Sequence, residues 1–79
     1  MSPTLFYEGP YRFFFFSREE RRMHVHVMTA DGEAKLWLEP DISLAKNHGL
    51  STTDLTKIEH VIRTRENEIK TRWKKHFKS

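Results

Sequence analysis

The chain divides near residue 50 into a strand-like half, in which apolar and polar positions alternate with a period of two most clearly over 24–28 and 33–36, and a helix-like half. Beyond residue 50 apolar positions recur at three- and four-residue spacing. The first period is that of a strand with one buried face, and the second is that of an amphipathic helix. The stretch TLFYEGPYRFFFFS predicts a short strand, a turn at Gly9-Pro10 and a second strand over 11–17. Four consecutive phenylalanines, Phe13 to Phe16, put rings on both faces of that second strand. The expectation is that both faces are covered, one by the core and the other by a further element or a second chain. The charged run SREERR at 17–22 reads as a connector.

MHVHVMTADGEAKLWLEP, residues 23–40, reads as a hairpin. Asp31-Gly32 is a tight-turn dipeptide, since glycine takes positive φ readily and aspartate tolerates it. With that loop Ala30 faces Glu33, Met28 faces Lys35, His26 faces Trp37 and His24 faces Glu39. Val25, Val27, Ala34, Leu36 and Leu38 then form a core face. His24, His26, Met28, Lys35, Trp37 and Glu39 gather on the opposite face. In DISLAKNHGL, residues 41–50, Ile42, Leu44 and Ala45 suit a brief fourth strand or a packed loop, and Asn47-His48-Gly49 suits a turn. Ser51 with Asp54 makes a capping box, and Leu50 with Leu55 suits a hydrophobic staple. Leu55, Ile58, Ile62, Ile69, Trp73 and Phe77 keep helical phase. A helix is therefore expected over about 52–77, with a break near 64–67. Arg65 occupies an apolar position of this stripe, where a snorkelling side chain is expected. The predicted class is α+β: a small antiparallel sheet of three to four strands, followed by a long C-terminal helix, whole or broken in two, packed on one face. Residues 1–46 are the β-rich half and 51–78 the helical half of one domain.

Composition narrows the function classes. A 79-residue chain buries a modest core, so its stability margin is thin. The absence of cysteine excludes disulfides, thiolate metal sites and cysteine nucleophiles. No apolar run is long enough to span a bilayer, and Glu8, Gly9 and Pro10 interrupt any signal-peptide pattern. A soluble, cytoplasmic protein without membrane association is the expectation. The net charge of +3 is uneven, at +5 over residues 57–79 and −2 over residues 1–56. Arg63, Lys70, Arg72, Lys74 and Lys75 form a candidate basic surface, suited to nucleic acid or simply to water.

Three chemistries suit the His/Trp face. His24 and His26 at i and i+2, with Glu39, form a two-histidine, one-carboxylate set of the kind that holds zinc or non-haem iron. No resident cofactor is expected, zinc being the alternative. The same His24, His26 and Glu39 are the candidate catalytic residues of a metal-free RNA-cleaving enzyme, with lysine and arginine stabilising the phosphorane. The plainer alternative is ring stacking and hydrogen bonding within a sheet face. Tryptophan, methionine and long charged side chains also have the composition of a protein–protein hot spot. That association reading is preferred.

The motifs GPYRFFFFS, HVHV, GEAKLWLEP, SLAKNHGLS, IEHVI and RWKKHF, in this order, resemble the bacterial domain-of-unknown-function 4160 family over nearly the whole chain. The resemblance implies a small α+β protein. It also implies a neighbouring small protein of the domain-of-unknown-function 2442 family, in an arrangement like a toxin–antitoxin pair. His24, His26, Glu33, Lys35, Trp37, Asn47, His48 and Trp73 match the recurrent family motif. The expected interface or ligand face is therefore His24, His26, Met28, Lys35, Trp37, Glu39, Asn47 and His48. The expected partner is a small cognate protein, with a second copy of the chain or nucleic acid as alternatives.

Overall fold

The computed structural model describes residues 4–16 and 21–77. Five strands form one antiparallel meander in the order β1-β2-β3-β4-β5. They are β1 (Thr4–Glu8), β2 (Tyr11–Phe14), β3 (His24–Met28), β4 (Glu33–Trp37) and β5 (Ser43–His48), followed by α1 (Thr52–Thr64) and α2 (Glu66–His76). The fold is α+β with one strand more than the sequence pattern implied. The stretch expected as a brief strand or a packed loop is the full strand Ser43–His48, in which Asn47 and His48 end the strand and do not form a turn. Its apolar content is low because it is the sheet's edge, and five of its six residues are exposed. Residues 38–42 link β4 to it.

Alternation along the strands sorts the side chains as expected. Phe13, Val25, Val27, Ala34 and Leu36 share one buried cluster with Ile58, Ile62, Ile69 and Trp73, so both helices pack on that face. β2 ends at Phe14, earlier than the predicted residue 17, and Ser17 lies outside the described residues, as do residues 18–20 of the connector. Phe15 still enters the core, at 1% exposure. The helix breaks where expected. Arg65 leaves helical geometry at φ −114° and ψ 24°, joining α1 to α2. Its guanidinium lies 3.5 Å above the Phe6 ring, which stacks on Phe13 at 4.7 Å. The stripe position is thus filled by a planar cation lying flat on an aromatic ring.

The start of α1 follows its sequence signature. Asp54 N–H donates to Ser51 Oγ at 3.1 Å, and Ser51 N–H donates to Asp54 Oδ2 at 3.4 Å. Tyr11 O–H donates to Asp54 Oδ1 at 2.8 Å and ties the cap to β2. No helix among the described residues is long and apolar enough to cross a membrane.

Candidate functional site: the helix-free face of the sheet

The hairpin register differs from the predicted one by two residues. His24 pairs with Trp37, His26 with Lys35 and Met28 with Glu33. The loop is Thr29 to Gly32, closed by Thr29 N–H donating to the Gly32 carbonyl at 2.9 Å. Gly32 does not take positive φ. It is needed for room, since a Cβ there would lie 2.1 Å from the His48 carbonyl oxygen. The turn residues were legible, but the feature that makes glycine necessary was a neighbour sixteen positions away. An even shift leaves every side chain on its expected face, because the strand period is two.

Cross-strand partners share a face, so three rows can be traced across the side turned from the helices, which α2 reaches at the His24 end through Trp73. Tyr7, Arg12, Met28, Glu33 and His48 form one row. Phe14, His26, Lys35 and Lys46 form the next, and His24, Trp37 and Ser43 the third. The structure therefore brings His24, His26, Met28, Lys35, Trp37 and His48 to one face. Arg12 joins them as a cation beside the histidines, and Tyr7 and Lys46, which were missed, join them too. The register of strands that were not paired in the sequence reading is what places them.

The imidazoles are interior groups. His24 exposes no surface, and its Nδ1 lies 2.6 Å from the Arg22 carbonyl oxygen. A carbonyl only accepts, so Nδ1 carries the proton and donates. Trp73 packs 4.9 Å from His24, Trp37 5.7 Å and His26 5.1 Å, centroid to centroid. His26 is 7% exposed, stacked on Phe14 at 5.5 Å and met edge-on by Phe16 at 4.3 Å. Phe14 is 1% exposed, beneath the Arg12 guanidinium at 4.6 Å. Phenylalanine on the second face is thus covered by side chains of this chain, where the sequence suggested a further element or a second chain.

Glu39 does not meet His24. Leu38 N–H donates to the Met23 carbonyl at 2.9 Å, which extends the ladder one step and sets Glu39 opposite Arg22. The Glu39 carboxylate accepts from the Met23 N–H at 3.2 Å, and Arg22 Nε donates to the Glu39 carbonyl at 2.9 Å. Among the described residues, no group of three or more His, Asp or Glu side chains converges to hold a metal ion. Asn47 falls on the opposite face, as the partner of Ala34. Its side chain clamps the turn before α1, donating to the Leu50 carbonyl at 3.0 Å and accepting from the Leu50 N–H at 3.1 Å.

What remains accessible on the face is amphipathic and cationic. Tyr7 is 67% exposed and Met28 37% exposed, on either side of Arg12. Trp37 is half-buried between the Arg22 guanidinium at 4.1 Å and the Lys35 ammonium at 4.5 Å. Phe16, His26, Glu33, Lys35 and Lys46 line a shallow recess of about 230 Å³. The predicted basic surface contracts. Arg63 is paired with Glu59 at 2.8 Å and Lys70 with Glu66 at 2.7 Å, which leaves Arg72, Lys74 and Lys75 near the end of α2.

Fold and face together define a small α+β domain, a five-stranded meander with helices on one side and an aromatic, cation-bearing surface on the other. A family model described as Domain of unknown function (DUF4160) matches residues 11–74, and the chain belongs to that family. Comparison with curated proteins and with solved structures finds no match.

Proposed function

We propose that this chain is an association module that docks a small cognate protein on the helix-free face of its sheet. The observation that carries the reading is the row Tyr7, Arg12, Met28, in which an exposed aromatic ring and an exposed thioether flank a guanidinium. Tyrosine, methionine and arginine are the side chains that concentrate binding energy at protein interfaces. Lys35 and Lys46 extend the surface with positive charge and Glu33 interrupts it, so the partner's complementary patch is mainly acidic with an apolar centre. The family resemblance supports a partner of the domain-of-unknown-function 2442 family, in a toxin–antitoxin-like pair.

Affinity purification of the tagged chain from its source cells tests this. One small protein is expected at 1:1 stoichiometry, and Tyr7→Ala with Met28→Glu is expected to release it while the purified variant keeps its helical circular dichroism. A wild-type chain that elutes alone, or a double variant that retains the partner, overturns the reading.

A further inference from the structure

Arg72, Lys75 and His76 stand at i, i+3 and i+4 on α2 and share one of its faces. With Leu5 of β1 and Phe15 they line a recess of about 220 Å³, on the side of the sheet that carries the helices. Its floor is apolar, with Phe15 1% and Leu5 9% exposed. Its rim is a set of nitrogen donors. Arg72 Nη1 donates to the Leu5 carbonyl at 3.0 Å, which seats the guanidinium over the edge of β1 and leaves it further N–H groups to offer. The His76 ring lies 5.8 Å from the Phe15 ring. Of the nearby acids of α2, Glu66 pairs with Lys70, and Glu68 is forked by Arg65 while still attracting Arg72 one turn on. Among the described residues no ion pair uses Arg72 or Lys75. Cations also suit the carbonyl end of a helix, but that dipole effect is met by any cation in the last turn. It does not require an apolar floor beside them.

We propose that this recess binds the phosphate of a nucleotide unit. Arg72, Lys75 and His76 donate to the phosphate oxygens, and the accessible edge of Leu5 lies under the sugar. A guanidinium fork, an ammonium and an imidazole supply charge and direction to a tetrahedral anion, and the floor offers contact that a bare phosphate cannot use. The site is separate from the helix-free face and stands or falls independently of the partner proposed there.

Amide chemical shifts of the full chain, followed during titration with adenosine monophosphate and with inorganic phosphate, test the assignment. The monophosphate is expected to move the signals of residues 72–76 and of Leu5 and Phe15, and to bind more tightly than inorganic phosphate. Lys75→Glu should weaken it about tenfold or more, and Lys57→Glu, the same charge change on α1, less than about twofold. A labelled single-stranded RNA, bound at about 50 and 200 mM salt, distinguishes the source. Tighter binding than the monophosphate, with a logarithmic salt slope steeper than about one, supports a polynucleotide, and equal affinity supports a free nucleotide. Three results overturn the proposal: no shifts at about 10 mM monophosphate together with no RNA binding at low salt, equal binding of phosphate and monophosphate, or equal weakening by the two charge reversals.

Discussion

His24 shows how a residue that looks like a ligand or a base becomes part of the interior. Its Nδ1–H satisfies the Arg22 carbonyl at 2.6 Å, and its ring is enclosed by Trp37 and Trp73. His24→Ala removes the donor and leaves a void between aromatic rings. A loss of about 2–4 kcal/mol is expected, read from the urea midpoint at unchanged slope. Asp54 carries a different kind of information. Hydrogen bonds from Tyr11 and from Ser51 hold its carboxyl below the usual carboxylate range. The fork from Arg65 does the same for Glu68. A lowered folded pKa contributes stability that is present above the unfolded value and is lost as pH falls through the folded one. Stability is therefore expected to be level near neutrality and to decline below about pH 4. Asp54→Asn should flatten that acid limb, as followed by urea midpoints across a pH series. The Tyr11 hydroxyl is pushed up by its bond to Asp54, so its contribution holds below about pH 10 and fades above it.

Between elements, a close backbone approach joins two turns. The β3–β4 turn and the turn before α1 meet through Gly32 and Gly49. A Cβ on Gly49 would lie 2.7 Å from the Asp31 carbonyl oxygen, and φ there is +91°. Gly49→Ala is expected to cost about 1–3 kcal/mol from backbone strain alone. Gly32→Ala should cost at least as much, because the obstructing atom is backbone and cannot step aside. Paired thermal melts compare the two. The junction of α1 and α2 depends on Arg65, whose fork to Glu68 spans 2.9 and 3.0 Å and whose plane covers Phe6. Arg65→Ala is expected to lower stability by about 1 kcal/mol and Arg65→Lys to recover only part of it, since an ammonium lacks the flat face and the fork.

In the molecule as a whole, two surfaces carry separate expectations. Tyr7 and Met28 project from the sheet, so truncating them should change stability by less than about 0.5 kcal/mol. A melting curve of the Tyr7→Ala, Met28→Glu variant that matches the wild type, alongside loss of the partner, separates docking from folding. The cationic end of α2 lies on the other side of the sheet. The charge asymmetry visible along the chain therefore becomes two cation-bearing surfaces facing apart, and the helical one is smaller than the sequence count suggests. Arg63 and Lys70 are spent within their own helices.

Periodicity and local residue type determined the class of fold, the core-facing set from Val25 to Leu36, the cap at Ser51 and a helix break within 64–67. Each depends on residues within one or two turns, or on a strand period that any register respects. Periodicity also placed His24, His26, Met28, Lys35 and Trp37 on one face, because that conclusion survives an even shift. Tertiary structure decided the rest. Which residue faces which across the hairpin depended on a loop held by contact with a distant turn, and so Glu39 met Arg22 and not His24. Whether the imidazoles were open or enclosed depended on rings arriving from Phe14, Phe16 and Trp73, 10 to 49 positions away in sequence. A residue's face follows from its own chain, and its exposure is set by whatever the rest of the chain brings against it.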